Sequence, residues 1–227
     1  MLTHATYADN VAAKFVSTRP VVAEAACKEN FQLARKWFKQ CRESHDSCLR
    51  SSLDFMPKRL IEIARDNGLE SIGGRWRLRL HHPNKSKEPV QPYVAPSYCR
   101  GQDQQFKLTR GTIESMSNEI MWQDLPQTLK DAIYVTRELH IRFLWIDSLC
   151  IVQDDAEEIS TEIARMPEIY SCAAVTILAS RASHVQEGFL QNRQITRYPD
   201  LVFELPCRCL TGELGSVIAS FSPESIK

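Results

Sequence analysis

Cys41, His45 and Cys48 stand four and three residues apart. On a helix, that spacing puts two thiols and an imidazole on one face, close enough to chelate zinc. A tetrahedral site needs a fourth ligand, and Cys27, His81 and His82 are the available donors. The chain has no Cys-x-x-Cys pair, and the more ordinary reading is that these side chains continue an apolar face begun by Trp37 and Phe38. Zinc is therefore the less expected occupant. Asp147 poses a different problem. It directly follows the near-continuous apolar run Ile141–Ile146, and a charge in that position needs a partner or a task. It could orient a ligand, cap the next helix or form the turn. Glu158, Glu162 and Arg165 have helical spacing, which by itself describes a solvated face with charge pairs of about 0.2–0.5 kcal/mol each. Cys99 and Cys150 could act as thiol nucleophiles only beside a histidine, and none is placed near them in sequence. The eight glycines form no phosphate-cradling loop.

The elements that must position these residues follow from periodicity. Residues 1–28 show no period and read as a loose arm. A helix is expected over Phe31–Leu49, with Ala34, Trp37, Phe38, Cys41, His45 and Cys48 on one face. Leu60–Ala64 is a short apolar run, and Asp66-Asn67-Gly68 is a turn signal. Arg75, Arg77 and Arg79 alternate with Trp76, Leu78 and Leu80, as in a strand with one buried face. His82–Pro92 reads as a surface loop. Tyr93–Tyr98 reads as a strand and Leu108–Met116 as a short helix. A longer helix starts at Asp124-Leu125-Pro126, burying Leu129, Ala132, Ile133, Thr136 and Leu139. Ile141–Ile146 is near-continuously apolar, the pattern of a strand covered on both faces. The next helix carries Ile159, Ile163, Met166 and Ile169 on one side, with Pro167 expected to kink or shorten it. Ala173–Ala179 is a further buried strand, and Leu201–Leu205 another candidate. Strand and helix in alternation predict an α/β fold with a mostly parallel sheet flanked by helices. Ligands in such sheets gather at the carboxyl ends of strands, here after Tyr98, Asp147 and Ala179.

Composition narrows the function. The 227 residues are 43% hydrophobic and 25% charged, with 28 basic and 28 acidic side chains. Zero formal charge supplies no global field for nucleic acid or an anionic membrane, and the alternating arginines read as the solvated face of a strand rather than a phosphate-binding stripe. No apolar run is long enough to span a bilayer. The N-terminus lacks the order of a secretory signal, so the eight cysteines are expected to be thiols in a cytoplasmic protein.

Several segments in order resemble the HET domain of fungal heterokaryon-incompatibility proteins. Tyr93-Val94-Ala95-Pro96-Ser97-Tyr98-Cys99-Arg100-Gly101 is similar to that family's opening strand and turn. Leu125-Pro126-Gln127-Thr128-Leu129-Lys130-Asp131-Ala132-Ile133 resembles its central helix. Leu144-Trp145-Ile146-Asp147-Ser148-Leu149-Cys150-Ile151-Val152-Gln153-Asp154 resembles its most distinctive block. Met166, Ile169-Tyr170 and Ala173 follow in place, and Glu187-Gly188-Phe189 closes the match. Upstream, Cys41, His45, Cys48 and Pro57-Lys58-Arg59-Leu60 are similar to what often precedes the domain. The chain departs from the family pattern at Pro96, where leucine is usual, and at Arg100 and Ile159, where tryptophan is usual. The Gly-Trp and Gln-Glu segment that normally follows is missing. The domain organisation expected is thus an arm over 1–28, a helical and β extension over 29–92, and a HET domain over 93–227. Its core match is 93–190 and its C-terminal part incomplete, as in a shortened product or an inactive remnant.

The resemblance implies a signalling module of non-self recognition, acting through protein partners or self-association and leading to programmed cell death. HET domains also resemble TIR domains in outline, a flavodoxin-like arrangement, and some TIR domains cleave NAD at the nicotinamide–ribose bond with a helix-borne glutamate. By that carry-over Glu162 is the candidate catalytic residue, NAD the candidate substrate, Asp147 an orienting or catalytic carboxylate, and Ser97, Tyr98 and Gly101 the facing wall. A carboxylate suits this reaction because it steadies the positive charge of an oxocarbenium-like state. A zinc-binding adaptor built on Cys41, His45 and Cys48 is the remaining alternative.

Overall fold

The computed structural model describes residues 2–7, 9–20, 22–45, 55–65, 76–83, 89–101, 105–193 and 202–221. They form two compact units, Ala26–Leu190 and a smaller one from Met1–Ala25 with Gln191–Lys227.

The larger unit holds strands β2 (Leu60–Arg65), β3 (Trp76–His81), β4 (Tyr93–Ser97), β5 (Phe143–Leu144) and β6 (Val175–Leu178), in the order β3-β2-β5-β4-β6. The sheet is mixed, which corrects the expectation of a mostly parallel one. β4 runs parallel to β5 and β6, but β2 is antiparallel to both β3 and β5. The reason lies in the connections. Helical crossovers link β4 to β5 and β5 to β6, whereas only ten residues separate β2 from β3, and a parallel pair needs a crossover of about a dozen or more. Leu60–Ala64, an apolar run of unassigned structure in the sequence, is thus an inner strand of this sheet. The alternation in β3 holds, with Leu78 and Leu80 buried and Arg77 exposed. Arg75 and the Asp66-Asn67-Gly68 turn lie outside the described residues.

β4 is buried along Tyr93–Pro96, yet it contains a proline between two neighbours, where proline is normally excluded. The Val94 carbonyl accepts from Trp145 N, so Val94 and, two residues on, Pro96 direct their backbone polar groups toward β5. The β4–β5 ladder ends at the Val94–Leu144 pair, so the missing N–H falls just beyond it. The Pro96 carbonyl accepts instead from Tyr170 Oη at 3.1 Å. β6 is an edge strand of alternating burial rather than the fully buried strand expected from Ala173–Ala179.

The helices of this unit are α1 (Lys28–Ser44), α2 (Ile113–Asn118), α3 (Gln127–Glu138), α4 (Asp147–Cys150) and α5 (Ala156–Cys172). In α1 only Phe31 is fully buried, with Ala34 and Phe38 packed on the core, and Trp37 is 61% exposed. α3 buries Leu129, Ala132, Ile133 and Thr136 as its period requires, together with Thr128 and Asp131. It ends with Ile141 N bonding the Thr136 carbonyl and His140 N the Arg137 carbonyl. This is the Schellman geometry, and His140 takes the left-handed position at φ 59° that glycine usually fills. α5 continues through Pro167 to Cys172 instead of stopping there. Its inward face contains Ile169 and Glu162, while Ile163 is 55% exposed, a rotation of the helix from the face its aliphatic residues suggest.

In the smaller unit, β1 (Leu2–Ala5), β8 (Leu214–Phe221) and β7 (Val202–Arg208) form an antiparallel sheet in the order β1-β8-β7. Leu2 pairs with Phe221, so residues without local periodicity become a strand through a partner at the far end of the chain. No helix among the described residues is long and apolar enough to cross a membrane.

Candidate functional site

Parallel pairing of β4 and β5 brings their carboxyl ends side by side, and the chain leaves each through a polar turn. Asp147 opens α4 with its own carboxylate accepting from Ser148 N at 2.7 Å, the arrangement that satisfies a free N–H at a helix start. Tyr98 Oη donates to the same oxygen at 2.8 Å and shares a 2.9 Å bond with Ser148 Oγ. Arg100 donates to the other oxygen from Nε at 3.1 Å and Nη2 at 2.6 Å. A further 3.3 Å bond from Arg100 Nη1 reaches Gln153 Oε1, and Gln153 Nε2 donates back to the Asp147 carbonyl at 3.2 Å. Both carboxylate oxygens of Asp147 are therefore engaged by the protein itself.

The electrostatics follow. Burial holds the Tyr98 hydroxyl well above its ordinary range, and the neighbouring Asp147 charge adds to the shift. Tyr98 thus remains a proton donor throughout the physiological range. Burial would weaken the Arg100 cation, but the Asp147 carboxylate more than offsets it and raises the guanidinium's pKa. Cys150 is buried and its thiol is pushed up to about 12, chiefly by burial, with Arg59 countering and Asp147 and Glu162 adding. The structure removes Cys150 as a nucleophile, because the thiolate is the reactive form.

Of the residues singled out in the sequence, Tyr98 and Asp147 are brought into contact. Ser97 is exposed at the end of β4, and its carbonyl accepts from Ala179 N at 2.9 Å. Gly101 shapes the turn. It has φ 77°, and a Cβ there would lie 2.6 Å from His184 Cβ. Gly101→Ala is accordingly expected to cost about 1–3 kcal/mol, read as a lower urea midpoint with an unchanged slope. An unchanged midpoint would show that the turn relaxes freely.

Glu162 is 3% exposed, and Arg165 Nη1 donates to its Oε1 at 3.3 Å. The solvated face expected from helical spacing is corrected, since α5 turns this carboxylate inward. One turn earlier, Glu158 accepts from Lys58, from Arg59 and from Val152 N at 2.9 Å. The Pro57-Lys58-Arg59-Leu60 stretch thus anchors the start of β2 to α5. Arg59 is buried, and its Nη1 has no hydrogen-bond partner among the described residues.

Of the three candidate zinc ligands, only Cys41 and His45 fall among the described residues. Cys41 is half-buried, but α1 ends at Ser44 and His45 is an exposed, extended C-cap. Cys48 lies outside the described residues. No group of three potential metal ligands occurs among the described residues.

Arg100, Ser148 and Gln153 were missed as site residues because their partners lie in a different loop or depend on the turn after β5. Thr128 and Asp131 were missed for a related reason. They hold the 184–190 segment from α3, a contact that no local pattern carries. Gly188 N donates to Thr128 Oγ1 at 3.1 Å, while Phe189 N and Leu190 N donate to Asp131 Oδ2 at 2.7 and 3.0 Å.

Residues 93–210 match the family model described as heterokaryon incompatibility protein (HET). The chain is similar to heterokaryon incompatibility protein 6, OR allele, of Neurospora crassa, at 36% identity over a 100-residue alignment that takes in 37% of this chain. That match covers 14% of the relative's own length. No solved structure matches the chain. The opening strand and turn, the helix that grips 184–190 and the Asp147 block all fall inside the matched residues, and the chain belongs to the HET family.

Proposed function

We propose that this chain is a signalling module of fungal non-self recognition, which works by contact with protein partners or further copies of itself and drives growth arrest or cell death. The observation that carries this reading is the closure of the strand-end network. Tyr98, Arg100 and Ser148 N occupy both oxygens of Asp147, which favours a rigid surface over a cleft awaiting a ligand. The test is inducible expression in a filamentous fungal host, with colony growth and dye-uptake viability as readouts. Growth arrest is expected for the wild type and should be strongly reduced by Asp147→Asn with Arg100→Gln, which loosens the network. Normal growth from an expressed, folded wild-type chain would count against the module.

A second reading, an NAD glycohydrolase, is favoured by one observation. Glu162 is turned inward on a helix whose neighbouring Ile163 faces solvent, and burying a carboxylate has a cost that surface placement avoids. Nicotinamide release from NAD, measured on concentrated protein with a crowding agent beside Glu162→Ala, separates the two readings. Release abolished by the substitution makes Glu162 catalytic, whereas no release leaves the contact module.

A further inference from the structure

A concavity lies at the opposite end of β5 from Asp147. It has a volume of about 590 Å³ and is lined by Ile63, Trp76, Arg137, Glu138, His140, Ile141 and Arg142. That volume falls within the range of small-molecule sites, which combine apolar walls with a few fixed polar groups. Here the apolar walls are Ile63, Ile141 and the indole of Trp76.

The charges are arranged unevenly. Among the described residues, Glu138 in the lining and Glu62 beside Ile63 are each shared by two arginines. Glu62 accepts from Arg79 and Arg142, and Glu138 pairs with Arg35 and Arg137. Among the described residues, these four guanidinium groups stand against two carboxylates, a local positive surplus. Arg137 is also held by geometry. Its guanidinium lies 5.3 Å from the Trp76 ring centre and 4.6 Å from that of Tyr134. The two ring contacts and the ion pair to Glu138 restrain this side chain, and a restrained fork recognises a planar or tetrahedral anion with little loss of side-chain freedom.

His140, the left-handed residue that closes α3, also lines this concavity. The Ile63 N bond to the Arg142 carbonyl at 2.9 Å ties the lining to the sheet, so the groups are carried on a rigid base.

We propose that this concavity binds a small organic phosphate with a planar ring, the phosphate meeting Arg137 and Arg142 and the ring packing near Trp76 and the isoleucines. The site is separate from the Asp147 network and does not depend on the function assigned there. Calorimetric titration of the full chain with AMP, adenosine and inorganic phosphate tests it. AMP is expected to bind at submillimolar concentration, with adenosine and phosphate each at least tenfold weaker. Arg137→Gln and Trp76→Leu should each weaken AMP at least tenfold, while Tyr98→Phe leaves it unchanged. Because Arg137 also packs against two rings, Arg137→Lys is the second variant, keeping the charge and losing the fork. Its circular dichroism should remain native while AMP affinity falls. Absence of AMP binding, AMP binding no tighter than phosphate, or unchanged affinity in a natively folded Arg137 variant overturns the proposal.

Discussion

Asp131→Ala is expected to destabilise the larger unit by about 3–5 kcal/mol, one of the largest single-residue effects in the chain. Asp131 is 7% exposed. Its carboxylate accepts from Phe189 N and Leu190 N on one oxygen and from Gln127 Nε2 at 2.7 Å on the other. Alanine would strand two backbone N–H groups with no acceptor, and each buried orphan costs about 1–3 kcal/mol. Asp131→Asn keeps a carbonyl oxygen and should lose less than half as much. Urea denaturation followed by fluorescence measures both. Hydrogen exchange adds a local signature, because protection at Phe189 and Leu190 should fall before that of β4. A midpoint shift under 1 kcal/mol for the alanine variant would mean that the 184–190 segment is held by packing alone.

Glu158→Ala should cost a comparable amount, for a different reason. It removes the acceptor for Lys58, Arg59 and Val152 N together. The larger part of the loss comes from Arg59, a buried cation left without its counter-charge. Removing one member of a buried pair typically costs about 3–5 kcal/mol, whereas replacing both by apolar residues is often nearly neutral. The double variant Arg59→Leu/Glu158→Leu should therefore be more stable than Glu158→Ala alone. A double variant less stable than the single would show the pair to be a net stabiliser beyond charge compensation. Acidification offers an independent check. Burial opposes the charge on Glu158, but Lys58, Val152 N and Arg59 overcome it and lower its pKa. Glu62 is lowered in the same way by Arg79 and Arg142 against burial. For carboxylates depressed in the folded state, stability is fully present above the unfolded value of about 4.3. It is lost as pH falls through the lower folded value. Acid unfolding of Glu158→Gln should correspondingly be shallower below that point.

Regular, locally periodic elements are legible in the sequence. The apolar face of α3, the alternation of β3 and the unbroken burial of Phe143–Ile146 all follow from spacing, because each side chain's exposure is set by its own helix or strand. Periodicity failed where a polar residue is buried by partners distant in sequence. Glu62 sits inside β2 because arginines from β3 and from just before β5 converge on it. Glu162 points inward although the aliphatic residues of α5 suggested another face. The family pattern pointed to Tyr98 and Asp147 as neighbours, yet it carried no hint that Arg100, a departure from that pattern, would close the network by pairing with Asp147.

By itself, then, the sequence determined the class of fold, the family and the position of the polar turns after β4 and β5. Those properties depend on residue order and on spacing within single elements. Only the tertiary structure decided that the sheet is mixed, that β1 pairs with β8, and that Asp147, Asp131 and Glu158 are satisfied by groups from other elements. The physical reason is that strand direction is set by connections and by burial of both faces. The fate of a buried charge is set by whichever counter-charges and N–H groups the completed fold delivers, and neither is encoded within reach of a local window.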